Sequence, residues 1–438
     1  MAAGDLDEAG VLSRLQTLIR IPTVSDADPA VFDDLLATMR DLYPRVHALE
    51  TVRIGRQGVL IHWPGASAAR PVVLMAHLDV VPAVGEWSVP PFSAEVIDGQ
   101  VWGRGTLDDK GSVAAICEAV ESAIADGAVP AQDVWLHFGC DEEVSGESAP
   151  AAAAELTRRG VRPWFVLDEG GAVAEQAFPG VSAPIAVVGL TEKGTTTLSL
   201  TVTGEGGHAS VPTRNGPTVR LAKALTRLDT LAMPAHLPEP TVELLRRISP
   251  YLPAPLRPIT ANIDRIAPAA TRLLPLAGAE AAAMIRTTFA ITTLEGSPAH
   301  NVIASTARAG VNVRVMVGDS VADVVTAVRK VIRDDGVIVE VTEANEPSPV
   351  SPMDDAFELI ETCVEELFPE AVVAPYVMMA ATDSRFLTGI CERVFRFTPF
   401  RMSKAQRSAI HAADERIGVE DYRRGITWYR RLIESLPA

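Results

Sequence analysis

The chain is poor in several features that would fix its class at once. No apolar run approaches the ~20 residues of a membrane span, and the opening MAAGDLDEAG lacks the basic and apolar segments of a secretory signal. Only four cysteines occur, Cys117, Cys140, Cys363 and Cys391, scattered without metal-type spacing. They read as free thiols of a reducing cytoplasm. Basic residues are also short, 39 against 56 acidic ones, for a net charge of −17. That balance argues against nucleic acid and against an anionic membrane surface as partner.

What is present is ordinary for a globular protein, 47% hydrophobic and 22% charged. A length of 438 residues is too great for one compact core, so two domains are expected. Residues 5 to 20 show helical periodicity in Leu6, Val11, Leu12, Leu15, Leu18 and Ile19. GVLIHWPG and PVVLMAHLDVV read as strands, GSVAAICEAVESAIADG as a helix, and DVWLHFGCDEE and PWFVLDEGG as two more strands. Alternating strands and helices predict an α/β domain with a mixed, mostly parallel sheet flanked by helices.

The texture changes near residue 190. TTTLSLTVTG alternates like an antiparallel strand with one solvated face. A helix over 217–231, a stretch 234–275 with nine prolines, two strands, a helix and a last strand GVIVEVTEA follow. The β-α-β-β-α-β order predicts an inserted α+β ferredoxin-like lid domain. The division is then 1–190 and 345–438 for the catalytic domain and 191–344 for the insert, with 234–275 a partly helical extension near the cleft or a dimer surface.

One stretch does not fit a plain buried strand. VVLMAHLDVV, residues 72 to 81, carries His77 and Asp79 in an apolar run, two apart and so on the same side. A metal accounts for them, and so does a buried His–Asp hydrogen bond. The anomaly repeats in GTLDDKG (Asp108, Asp109), CDEEVSG (Asp141, Glu142, Glu143), LDEGG (Asp168, Glu169) and IHAADER (His411, Asp414, Glu415). Taken singly, DDK and DEE are ordinary solvated turns and Asp414–Glu415 an ordinary solvated helix turn. Together, carboxylates at several strand ends repel unless cations sit among them. His and carboxylate donors without cysteine suit zinc, and also manganese or cobalt.

The sequence resembles the co-catalytic di-zinc metallopeptidases that include aminoacylase, glutamate carboxypeptidase, succinyl-diaminopimelate desuccinylase and vacuolar carboxypeptidase S. The resemblance rests on MAHLDVVPA, EWSVPPFSAEVIDGQVWGRGTLDDKGSVAA, GCDEEVSG, VLDEGG, GEGGHASVP, HNVIAS and IHAADERI, in the family's order over roughly residues 10 to 430. It looks closest to the branch of carboxypeptidase S and the N-acyl-amino-acid hydrolases.

The resemblance implies two Zn2+ (or Co2+ or Mn2+): His77 and Glu169 on one, Glu143 and His411 on the other, Asp108 bridging both. It implies a cis bond after Asp108, an orienting role for Asp79 behind His77, and Glu142 as general base towards a metal-bridged water. His208 would stabilise the oxyanion, often from across a homodimer formed through the lid. Asn301 and Arg314 would clamp substrate, Arg314 through a free carboxylate, although a solvent-facing strand arginine is the simpler reading of Arg314. The implied substrate is a peptide or an N-acyl amino acid, cut at an amide beside a free carboxylate. A dipeptidase needing a free amino end is the rival enzyme. An inactive metal-binding scaffold and a cysteine hydrolase using Cys140 are rivals from other classes.

Overall fold

We describe a computed structural model of the chain over residues 8–273, 278 and 282–438. Its framework is a ten-stranded mixed sheet. The strand Ser67–His77 runs in its middle, parallel to Gln132–Gly139 on one side and Phe165–Asp168 on the other. Val394–Arg396 continues parallel beyond Phe165–Asp168, and Val372–Met378 runs parallel to Ile185–Glu192. Antiparallel pairs occur towards the edges, Glu50–Ile54 with Gly58–Trp63 and Ala172–Ala174 with Ile185–Glu192. The sheet is thus mostly parallel, as the apolar runs predict.

The central strand has no polar face because both sides are covered. Val72, Leu74 and Ala76 enter a core with the helices Glu8–Ile19, Lys110–Ala125 and Val419–Glu434. Val73 and Met75 point the other way, into a core with Leu156 of the helix Ser148–Arg158 and with Leu387. This is the two-residue period of a strand. Each such aliphatic burial contributes about 1.5–3 kcal/mol, which fixes the register. His77 then falls at the carboxyl end of the strand, where α/β sheets open to ligands.

A second sheet has four antiparallel strands in the order Thr288–Glu295, Thr306–Val315, Gly194–Thr203, Val337–Asn345. Leu198, Leu200 and Val202 alternate into its core, against the helices Pro217–Leu228 and Val321–Ile332. The chain enters this sheet directly from Glu192 and returns beside it: Ser348 N–H donates to the Glu192 carbonyl at 3.1 Å and Ser351 N–H to Leu190 at 2.8 Å.

The proline-rich segment is largely helical, with helices Glu239–Ile248, Arg257–Ala261 and Ala267–Leu273. Residues 274 and 275 of that stretch lie outside the described residues. Pro240 and Pro258 stand in first helical turns, where a missing N–H costs nothing. Leu244, Leu245 and Ile248 pack with Ile185 and Ala374 of the large sheet. Arg247 adds a hydrogen bond to the Val373 carbonyl at 3.2 Å.

Candidate metal centre

His77, Asp108, Glu143 and His411 come from four separated segments and meet at the carboxyl ends of the central strands. His77 Nε2 lies 2.9 Å from Asp108 Oδ1, and His411 Nε2 lies 2.9 Å from Asp108 Oδ2. Asp108 therefore offers one carboxylate oxygen to each histidine. His411 Nε2 is also 3.1 Å from Glu143 Oε2, while Glu143 Oε1 is buried without a hydrogen-bond partner. Donor atoms of His77, Asp108 and Glu143 all fall within 4.8 Å of one another. The peptide bond between Asp108 and Asp109 is cis.

Buried acids that are not in this group hold the segments that are. Asp79 is fully buried. Its carboxylate accepts from the N–H groups of Glu142 (3.1 Å) and Glu143 (3.2 Å) and from Ser25 Oγ (2.8 Å). His77 Nδ1 faces the Asp79 carbonyl at 3.0 Å and its carboxylate at 3.4 Å. Asp79 thus sits behind His77 and also fixes the turn Glu142–Val144. Asp109 accepts the His77 N–H at 3.3 Å.

Glu415 is not part of a solvated helix turn. The helix Lys404–Ala409 ends before it, and His411 and Asp414 adopt left-handed φ of 60° and 65°. Glu415 is fully buried. It pairs with Arg104 at 2.5 Å and accepts from the N–H groups of Gly105 (3.1 Å), Leu107 (2.7 Å) and Asp108 (3.1 Å). Two ligand-bearing loops are thereby tied together. The available signal was the pair of opposite charges in two such motifs, Arg104 in WGRGTLDD and Glu415 in HAADER.

The electrostatics are those of a site that favours cations. Burial pushes the Glu142 carboxyl well above its ordinary range; His77 draws it down, and Asp383, Asp108 and Glu143 push it further up. Glu169, just past the strand Phe165–Asp168, is likewise pushed well up by burial and then by Asp108, Asp109 and Glu142. His411 moves the other way, raised to about 10 by its bonds to Asp108 and Glu143. Crowded carboxyls, an unpartnered Glu143 oxygen and imidazoles at hydrogen-bonding distance form a donor set that fits divalent zinc, cobalt or manganese.

A cavity of ≈ 230 Å³ opens beside this cluster. Glu142, Glu143 and His411 line one side; Thr195, Arg314, Glu343 and Asn345 of the four-stranded sheet line the other, with Arg385 also at its wall. Arg314 is half-buried and donates to Thr195 Oγ1 at 2.9 Å, so it is not a plain solvent-facing strand residue. Arg385, in the turn Asp383–Leu387, was not singled out from sequence. His208 and Asn301 lie elsewhere, on an exposed ribbon where Gly207–His208 pairs with Val302–Ile303, and neither lines the cavity. They are brought to each other: Ala209 N–H donates to the Asn301 carbonyl at 3.0 Å, and His208 Nδ1 lies 2.6 Å from Ser210 Oγ. Cys140 is buried 3.4 Å from Ser148 Oγ, and burial pushes its thiol up, opposite to what a nucleophile needs.

The chain was compared with known proteins. The family model described as Peptidase family M20/M25/M40 matches residues 73–435. A Dictyostelium discoideum protein named probable carboxypeptidase S-like 2 is 35% identical over 406 residues, covering 90% of this chain and 77% of its own. A Xenopus tropicalis protein named N-fatty-acyl-amino acid synthase/hydrolase PM20D1 is 34% identical over 438 residues, covering 97% of this chain and 85% of its own. Among solved structures, the M20 family metallo-carboxypeptidase Sso-CP2 from Sulfolobus solfataricus shares the fold with a TM-score of 0.73 at 18% identity, over 97% of this chain and 98% of that one.

Proposed function

This chain belongs to peptidase family M20/M25/M40, and from that premise we propose that it hydrolyses an amide or peptide bond next to a free carboxylate, with Glu142 as general base. The observation that carries the reading is the cavity that puts Glu142 and the ligand cluster opposite Arg314. His77 and Glu169 would hold one divalent cation, Glu143 and His411 a second, and Asp108 would serve both. Bound there, such ions supply Lewis acidity towards a carbonyl oxygen and lower the pKa of water.

The chain's own residues do the rest. Asp79 fixes the turn carrying Glu142 and Glu143 through their N–H groups. Glu142 takes a proton from the attacking water and returns it to the leaving amine. Arg314 holds the substrate carboxylate with a planar fork of donors. N-acyl amino acids and peptides with a free carboxyl end are the substrates, in keeping with the names of the relatives. The exposed ribbon carrying His208 and Asn301 is available to a second copy of the chain, and this supports a homodimer through the four-stranded sheet. Four buried free thiols fit a reducing, cytoplasmic compartment, and no helix among the described residues is long and apolar enough to cross a membrane.

The test is a panel of N-acyl amino acids, their carboxyl-amidated counterparts and dipeptides, offered to protein whose metal content is measured on the same preparation. Cleavage of the free acids, abolished by a chelator and restored by zinc, is expected. Equal cleavage of the amidated compounds would remove the carboxylate requirement. Cleavage of dipeptides alone would establish the dipeptidase reading, for which Glu343 offers an anion to a free ammonium. Fully loaded protein that cleaves none of them is an inactive scaffold.

A further inference from the structure

The cavity holds two guanidinium groups, not one. Arg314 enters from the strand Thr306–Val315 of the four-stranded sheet, and Arg385 from the turn Asp383–Leu387 attached to the large sheet. Each spends its described hydrogen bonds on neutral oxygens: Arg314 on Thr195 Oγ1 at 2.9 Å, Arg385 on the Thr382 carbonyl at 3.1 Å. The Nε of Arg385 is buried with no hydrogen-bond partner, although its guanidinium rests 4.5 Å above the Phe386 ring. Buried donors are almost always satisfied, so this guanidinium has donor capacity that its own neighbours do not use.

Outside the cation cluster the cavity lining carries more positive than negative charge. Glu142 and Glu143 belong to the cation cluster. Of the remaining lining groups, Arg314 and Arg385 face one carboxylate, Glu343. Glu192, buried outside the lining, also acts on both guanidiniums. Burial lowers the pKa of Arg314; Glu343 draws it back up, Arg385 lowers it and Glu192 raises it.

Arg385 is also held in register with the metal centre. Ser384 N–H, one residue before it, donates to Asp168 Oδ2 at 2.8 Å, and the other oxygen of Asp168 takes the N–H of Glu169 at 2.9 Å. A carboxylate bound by Arg385 is therefore placed at a set distance from the cluster, along a short and mostly buried path.

We propose that the substrate carboxylate is gripped from both sheets at once, by Arg314 on one side and Arg385 on the other. Arg385 is then a specificity-determining residue, and the preferred substrate carries one carboxylate beside the scissile amide. An amidated end, or an internal peptide bond, leaves two guanidiniums crowded and unpaired. This inference rests on the carboxylate-directed hydrolysis proposed above, so the experiment separates the two.

Binding of N-acetyl-leucine and of N-acetyl-leucine amide to zinc-loaded Glu142→Gln protein is measured by calorimetry, which reads the clamp without turnover. Adding Arg385→Met should weaken binding of the acid roughly ten- to a hundredfold, the span of a lost charged hydrogen bond, and leave the amide little changed. Arg385→Lys, which keeps the charge but loses the fork, should recover part of the affinity; a merely structural role predicts no such ranking. In otherwise wild-type enzyme the loss should fall mainly in KM. Acid and amide weakened alike, or an acid affinity indifferent to Arg385→Met, would overturn the clamp. If the wild-type enzyme cuts acid and amide equally well, the proposed function fails, while the calorimetric comparison still decides whether Arg385 binds a carboxylate.

Discussion

Replacing Glu415 tests whether the metal cluster depends on a residue that is not a ligand. Its carboxylate pairs with buried Arg104 and takes three backbone N–H groups of the loop 105–108. Glu415→Ala would orphan three buried N–H groups, about 1–3 kcal/mol each, and strand a buried guanidinium, about 3–5 kcal/mol. Even discounted for non-additivity, that rivals a whole domain's stability of about 5–15 kcal/mol. Glu415→Gln is the sharper tool. One amide oxygen can still accept from Leu107 and Asp108, which both bond Oε1, but the group facing Arg104 loses its charge. Stability should fall by up to about 3–5 kcal/mol, and zinc affinity by about ten- to a hundredfold, the usual cost of disturbing a residue that orients a ligand. Arg104→Met alone leaves a buried carboxylate unpaired and should cost as much. The double variant should lose clearly less than the sum, because removing both charges removes the desolvated ion. Urea unfolding of metal-free protein and zinc competition against a chelator are the assays. Additive single losses, or unchanged zinc affinity in Glu415→Gln, would refute the positioning role.

Other expectations follow from the same geometry. Glu142→Gln should lower kcat by about 10²–10⁴-fold with zinc content nearly unchanged; a variant that loses zinc would mean that the roles of Glu142 and Glu143 are exchanged. Asp108→Ala should empty both cation positions, whereas His411→Ala should chiefly empty one, as read by metal analysis; equal losses would contradict the bridging role. In metal-free protein the His411 pKa is raised from 6.5 to about 10 by Asp108 and Glu143. A raised imidazole stabilises the fold fully below its unfolded value and loses that contribution as pH climbs through the folded one. Urea midpoints of metal-free protein should therefore decline between pH 6.5 and about 10, and zinc binding in that window should release protons. A profile independent of pH would rule this out.

What could be read in the sequence was what local pattern encodes. The run VVLMA is apolar on both faces and Gly194–Thr203 alternates, so the two sheets announce themselves through period and composition. The motifs carrying His77, Asp108, Glu143 and His411 stood out together as charge at the ends of apolar runs, and the choice of these residues within them came from the family resemblance. The residues that were not read depend on partners far along the chain. Glu415 sits 311 positions from Arg104, and nothing in HAADER says that it is buried. Arg385 becomes notable only when a cavity brings it near Arg314, from another sheet. The proline-rich stretch hid its helices because proline is read as a breaker, yet Pro240 and Pro258 open helices.

The excess of acids around the cluster has a structural cause. Asp79 accepts backbone N–H groups from the segment bearing Glu143, Asp109 from His77, Glu415 from Asp108, and Asp168 from Glu169. In each case a buried carboxylate holds the main chain of a ligand-bearing segment that would otherwise be a free loop. Charge-assisted bonds to N–H are about twice as strong as neutral ones, and they offset part of the cost of burying the acid. The holds also run from one ligand segment to the next. Asp79 sits two residues after His77 and steadies Glu143; Asp109 follows Asp108 and steadies His77; Glu415 follows His411 and steadies Asp108. The segments of Glu143, His77 and Asp108 are each held from another ligand segment, so a displacement of one is resisted by the next. Such a series holds the donors in place before any cation arrives, and it places the preorganisation of the site in residues that never touch the cation.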